Sequence, residues 1–242
     1  RMQEAFVLQT ALLQQRQFVR AMSATARPAG DLLARFDARL PFTLTAGQAE
    51  VSEEIFADLA RHAPMQRLLQ GEVGSGKTVV ALRAMLAEVD SGRQAVLLAP
   101  TEVLAGQHFE SLRSLLGVLG GGRVLGSPEN ATEIVLLTGS QGAAQRRAAL
   151  DAIAGGGAGI VVGTHALLSE TVSFADLGLI VIDEQHRFGV QQRHKLNEKG
   201  NNPNVLYMTA TPIPRTLAIT TMGEMDVSVL DQMPDGRKPI KT

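Results

Sequence analysis

The chain has no cysteine, no tryptophan and a single tyrosine. Without thiols there is no disulfide framework, no thiolate zinc site and no cysteine nucleophile. No run of about 18 consecutive apolar residues occurs, and no basic-then-apolar leader opens the chain, so neither a membrane span nor secretion is expected. Neither sign of charge dominates. With 23 Lys and Arg against 24 Asp and Glu, the net charge is −1. That excludes a wholly basic polyanion binder but leaves room for a local basic groove.

What is present is an ordinary globular balance over 242 residues, with 45% hydrophobic and 19% charged residues. Such a chain can bury a sizeable core, and its length suits one large domain with an appendage. It opens on Arg1 and closes on Lys241-Thr242 in a turn-rich stretch, which reads as a piece of a longer protein.

Residues 4–20 carry Phe6, Leu8, Leu12, Leu13 and Val19 near helical spacing, followed by a loop containing Pro28 and a short segment, DLLARFDARL, before Pro41. These forty residues cannot form a core alone and are expected to be a helical appendage docked on the main domain. From Leu40 the rhythm changes. Apolar runs recur at RLLQ (67–70), AVLLA (95–99), EIVLLT (133–138), GIVVG (159–163), LGLIVID (177–183) and NVLYMT (204–209). Helical patterns lie between them at Ala46–His62, Thr78–Val89, Glu102–Leu116 and Gln141–Ala154. Strands apolar on both faces and alternating with helices predict a parallel α/β sheet covered by helices on both faces.

Residues 71–78 read GEVGSGKT, a full match to G-x-x-x-x-G-K-[ST], and they join an apolar run to a helix. Gly71, Gly74 and Gly76 let the backbone N–H groups turn inward around phosphates, with Glu72, Val73 and Ser75 completing the loop, and the following helix adds its positive end. Lys77 is then placed to reach the β- and γ-phosphates, and Thr78 to ligate Mg²⁺ through its hydroxyl. A loop of this kind indicates a nucleoside triphosphate and little more.

A second acidic site narrows the choice. Asp183-Glu184-Gln185-His186 ends the run LIVI, at the sheet edge where ligands bind in parallel α/β folds. Two adjacent carboxylates at an apolar strand end are costly without a cation. Asp183 suits the Mg²⁺ water shell and Glu184 the polarising of an attacking water. His186 has two readings, as a coupling residue or as a surface histidine in a loop.

The chain resembles the first motor domain of superfamily 2 helicases, and within them the RecG family of branched-DNA translocases. The likeness covers about residues 40–242 and rests on GEVGSGKT (71–78), LLAPTEVLAGQH (97–108), LLTGS (136–140), VVGTHALL (161–168), VIDEQHRFGVQQR (181–193), MTATPIPRTLA (208–218) and TTMGEMDVSVLDQMPDGRKPIKT (220–242). Glu72 stands where the family usually has Asp.

The resemblance implies a P-loop NTPase of RecA-like fold that uses ATP and Mg²⁺. It implies that Gln48 reads the adenine edge with Phe42 or Leu44 against the base, although Thr45 and Gln48 also suit a plain helix cap. It implies that Thr209-Ala210-Thr211 couples hydrolysis to movement, and that Pro100-Thr101-Glu102, Gly139-Ser140 and Gly163-Thr164-His165 line one nucleic-acid strand across the domain from ATP. Each of those loops follows a strand and is equally readable as a cap. Stacking aromatics are scarce, which disfavours strand separation inside this domain. The basic cluster Arg187, Arg193, His194 and Lys195 suits either a DNA backbone, a partner domain or a solvated face.

The domains expected are an appendage (1–40) leading from an upstream wedge domain, an ATP-binding motor domain (41–232) and a hinge (233–242) to a second motor domain carrying an arginine finger. The expected partner is branched DNA, forks and Holliday junctions, with no membrane, in a bacterial cytoplasm close to the nucleoid. The alternative is the motor of a transcription-repair coupling translocase, which shares the RFGV and TATPIPRTL blocks but carries DEEQ and PTT where this chain has DEQH and PTE.

Overall fold

The computed structural model describes residues 31–122, 131–183, 189–212 and 225–231. The chain order is α1 (Asp31–Arg39), α2 (Ala46–Leu59), β1 (Gln66–Gly71), α3 (Lys77–Asp90), β2 (Gln94–Leu98), α4 (Glu102–Leu116), β3 (Glu133–Leu137), α5 (Ala143–Ala154), β4 (Ala158–Gly163), β5 (Leu177–Asp183), α6 (Val190–Asn197), β6 (Gly200–Thr209) and β7 (Asp226–Leu230). Short 3₁₀ turns follow α4 and β4, at Gly117–Gly120 and His165–Leu168.

Among the described residues seven strands form one sheet in the order β3-β4-β2-β5-β6-β1-β7, and every pair of neighbours is parallel. The apolar runs bury both faces, as a parallel sheet between helical layers requires. One layer packs Leu69, Leu97, Val162, Val181 and Leu206 under α1, α2, α3 and α4. The other packs Leu68, Val96, Val161, Ile180 and Val205 under Ala149 and Ile153 of α5 and Leu196 of α6.

Helix α1 is part of the first layer. Leu32, Leu33 and Phe36 are buried in it, and both oxygens of Asp90, at the end of α3, accept hydrogen bonds from the backbone N–H groups of Leu32 and Leu33. A carboxylate from another helix therefore caps the start of α1. At the far side of the sheet, Arg67 of β1 donates to Asp58 of α2 at 2.8 Å and to the Ser228 hydroxyl of β7 at 2.8 Å, pinning the edge strand to its neighbours.

Residues 4–28 and 232–242, and with them the helical pattern at 4–20 and the hinge at 233–242, lie outside the described residues. Among the described residues no helix is long and apolar enough to cross a membrane.

Candidate nucleotide site and strand-end loops

Because every strand runs the same way, all loops that follow a strand emerge at one edge of the sheet. The strand order sets their positions along that edge. The loops after β3 (138–140), β4 (163–165) and β2 (100–102) come first, followed by the ends of β5 (Asp183), β6 (209–211) and β1 (71–78). The hydroxyl-rich loops thus occupy one half and the phosphate loop, acidic residue and Thr-Ala-Thr segment the other. At about 4.8 Å per strand, β3 and β1 are separated by roughly 24 Å.

The phosphate loop turns through Gly74 and Gly76 at φ of 87° and 89°, the left-handed region that glycine enters without strain. At Gly76 a Cβ would also collide with the Gln48 amide nitrogen, and at Gly71 with the Ser75 hydroxyl. The Lys77 ammonium lies back across the loop, donating to the carbonyls of Gly71 at 2.5 Å and Glu72 at 3.1 Å. The Ser75 hydroxyl is buried without a hydrogen-bond partner among the described residues. Glu72 and Val73 are exposed, and Thr78 is half-buried at the first turn of α3. A cavity of about 340 Å³ lies between Gly71, Glu72 and Ser75 of this loop, Ala210 and Pro212 after β6, and Leu230 and Asp231 after β7.

Gln48 is engaged at both ends of its amide. Its Oε1 accepts from the Thr45 N–H at 3.0 Å, the Thr45 hydroxyl accepts from the Gln48 N–H at 3.1 Å, and Gln48 Nε2 donates to the Ser75 carbonyl at 2.9 Å. The first two bonds form a capping box that starts α2. The third ties that helix to the phosphate loop, so the residue is buried, and contact with a base requires its amide to exchange a partner. Phe42 is 44% exposed and presents an unburied ring nearby in sequence, whereas Leu44 packs partly against the core.

Asp183 ends β5 with its Oδ2 2.7 Å from Nε2 of His108 on α4. The sequence pattern assigned no role to His108. Two periodicities reveal it: His108 shares the inward face of α4 with Ala105 and Leu112, and Asp183 continues the Leu179–Val181 face of β5. Glu184, His186 and Arg187 lie outside the described residues. No three His, Asp or Glu side chains converge as a metal cluster among the described residues. One hydroxyl and one carboxylate fit Mg²⁺, which keeps several waters and takes phosphate oxygens to complete its octahedron. Thr209 is buried, and its hydroxyl accepts from the Thr211 N–H at 3.1 Å, closing a turn before Pro212.

In the other half of the edge, Glu102 joins two loops. Its Oε1 accepts from the Ser140 N–H at 3.0 Å and its Oε2 from the Ser140 hydroxyl at 2.6 Å. The Ser140 hydroxyl bond, assisted by the backbone of Ser140 and Gly139 and by the nearby His165, holds the Glu102 carboxyl below its ordinary range. Thr101 caps α4, accepting from the Leu104 N–H at 3.2 Å, and remains exposed beside the half-buried Pro100. Thr164 differs from a surface donor. It is 1% exposed, with its hydroxyl turned to the Ala166 N–H, and Gly163 beneath it is buried, while His165 is exposed. In the basic cluster, Arg193 lies over the Tyr207 ring at 5.7 Å and His194 pairs with Glu198. A larger cavity of about 850 Å³, lined by Asp90, Thr132, Glu133 and Gly155–Gly157, opens at the opposite edge of the sheet and carries none of these motifs.

A family model for the DEAD/DEAH box helicases matches residues 45–219, and the chain belongs to that family. Within it, the chain is 52% identical to the ATP-dependent DNA helicase RecG of Mycobacterium bovis, over 99% of this chain and 33% of that protein. It is likewise 52% identical to the RecG of Bacillus subtilis, over 87% of this chain and 29% of that one. A solved structure of RecG bound to a three-way DNA junction superposes with a TM-score of 0.81 at 37% identity, covering 98% of this chain and 30% of that one. The chain therefore spans about a third of the length of the relatives it matches.

Proposed function

We propose that this chain is the ATP-binding first motor domain of a RecG-type helicase, which uses ATP hydrolysis to move on duplex DNA and remodel forks and Holliday junctions. The observation that carries the reading is the division of one sheet edge into a phosphate-binding half and a hydroxyl-loop half. Chemistry at one half can then be transmitted through the strands to a polymer held at the other.

In this reading the loop N–H groups and Lys77 hold the triphosphate, and Lys77 exchanges the Gly71 and Glu72 carbonyls for the β- and γ-phosphate oxygens. Thr78 and Asp183 would hold Mg²⁺, largely through water, and a bound ion would supply positive charge against the phosphates. Glu184 orients the attacking water. Thr209, Ala210 and Thr211, whose turn borders the same cavity as the phosphate loop, pass the change to the DNA side, and His186 shares this coupling role. Pro100, Thr101, Gly139, Ser140 and His165 form the accessible part of the DNA track, with Glu102 bracketing its loops and the buried Gly163 and Thr164 shaping it from beneath, and the exposed hydroxyl and backbone donors there give sequence-neutral phosphate contacts. Phe42, Leu44 and Gln48 form the base pocket.

Upstream wedge and second motor domains belong to the same reading, and the second supplies an arginine finger worth roughly 10³–10⁵ in rate. Alone, this chain binds ATP weakly and hydrolyses it negligibly. The relatives' identity favours the branched-DNA motor over a transcription-repair coupling translocase. The organisms of the relatives support a bacterial source, and a motor acting on chromosomal DNA would work in the cytoplasm near the nucleoid.

The test is ATP hydrolysis by the intact gene product with a three-way DNA junction, a linear duplex or no DNA. Stimulation by the junction, and loss of turnover in Glu184→Gln, is the expected outcome. Equal rates with and without DNA, or substantial turnover by the 242-residue chain alone, contradicts the reading.

A further inference from the structure

Two unrelated periodicities converge on one contact. Along β5, Leu179 and Val181 bury into the layer beneath α3 and α4, and alternation puts Asp183 on that same side. Along α4, Ala105, Leu112 and Leu116 face the sheet, and His108 stands one turn after Ala105 and one turn before Leu112. The side chains meet with Nε2 2.7 Å from Oδ2, at 17% and 13% exposure. A carboxylate accepts, so the imidazole donates its Nε2–H and its tautomer is fixed by the contact. The distance lies at the short end of the range for such bonds. Oδ1 of Asp183 has no such bond among the described residues.

We propose that His108 is a positioning residue of the nucleotide site: it holds Oδ2 of Asp183 so that the carboxylate presents its other oxygen in one orientation to the Mg²⁺ water shell. The proposal rests on the reading of Asp183 given above. The physical basis is general. A carboxylate that serves a metal is oriented by an outer hydrogen bond, and removing that bond typically costs 10–100-fold in metal affinity. His108 touches neither phosphate nor water in this role, and it acts through Asp183. It also explains why a nitrogen donor, and not another apolar residue, occupies the inward stripe of α4 at this turn.

The test is a Mg²⁺ titration of methylanthraniloyl-ADP binding by the 242-residue chain, followed by fluorescence, with a thermal melt of each variant. The variants are His108→Ala, His108→Leu, His108→Gln and Lys77→Ala. His108→Ala is expected to need about 10-fold more Mg²⁺ for half-saturation, with unchanged Mg²⁺-free binding. His108→Leu, which fills the space without a donor, is expected to behave the same way and replaces the alanine variant if that one melts early. His108→Gln, whose amide carries an N–H to nearly the same place, is expected to fall within about twofold of wild type.

A His108→Ala or His108→Leu variant with wild-type Mg²⁺ dependence overturns the proposal, as does a glutamine variant no better than leucine, which would assign His108 to packing. The parent reading fails separately: wild-type binding indifferent to Lys77→Ala would remove the nucleotide site itself, and the His108 role with it.

Discussion

Gly76 shows how closely a single residue is constrained. Its φ of 89° disfavours any other residue, and a Cβ there would collide with the Gln48 amide. Gly76→Ala is expected to cost about 1–3 kcal/mol through the backbone alone, and more if the Gln48–Ser75 tie is broken. Urea denaturation measures it, and a loss below about 0.5 kcal/mol would show that the loop can relax around a side chain. Glu102 supports a prediction about pH. Its carboxyl sits below the ordinary value of 4.5 chiefly because the Ser140 hydroxyl donates to it. A depressed folded value means that the bracket between the two loops is fully present above the unfolded value and is lost as pH falls through the folded one. The Glu102–Ser140 contact is therefore expected to persist through neutral and mildly acidic pH and to open only below about 4.5. Carboxyl NMR should show the Glu102 midpoint moving up in Ser140→Ala, and an unmoved midpoint would assign the depression to another group. At this scale the phosphate loop is legible because its spacing is fixed by chemistry. His108 is not, since its importance depends on which strand end lies beneath it.

Among the elements, strands β1 to β6 and helices α2 to α5 are legible to within a few residues, for identifiable reasons, whereas α6 and β7 carry no pattern that announces them. Helix α4 begins at Glu102 as the Thr101 cap predicts. Helix α5 starts at Ala143 and not at Gln141, because the Gln141 side chain is spent on the loop, accepting from the Thr138 N–H and donating to the Leu136 carbonyl. Strand β6 begins at Gly200, earlier than the apolar run at Asn204, and Asn204 is buried by bonds to Met65, Glu88 and Gly178 that no local pattern announces. Strand β7 is short and polar on alternate positions, and its pairing with β1 is held by Arg67 and Ser228, so its sequence gives little sign of it. The capping of α1 by Asp90 is likewise tertiary, with the partners 58 and 57 positions apart in sequence. Asp90→Ala is expected to cost about 1 kcal/mol, within the 0.5–2 range of cap removals. Hydrogen exchange should quicken at Leu32 and Leu33 first, and unchanged protection there would mean that packing of Leu32, Leu33 and Phe36 alone holds the helix.

At the scale of the whole molecule, seven parallel strands turn scattered motifs into a single working edge. Residues as distant in sequence as Lys77 and Thr209 come to neighbouring strand ends because β1 pairs with β6. The hydroxyl loops gather on the other side because β2, β3 and β4 are adjacent. Strand–helix alternation predicts the parallel sheet, but strand order is invisible to it and enters only through the resemblance to helicases. A net charge of −1 sets no strong long-range attraction for DNA, so nucleotide binding, not a basic face, is the property to measure. The most direct measurement is calorimetric titration of Mg²⁺-ATP and Mg²⁺-GTP into the 242-residue chain and into Lys77→Ala. ATP binding is expected to weaken at least tenfold in the variant, with GTP bound more weakly than ATP. Binding that survives Lys77→Ala unchanged would contradict the phosphate-loop assignment, and equal binding of GTP would remove the base-reading role of Gln48.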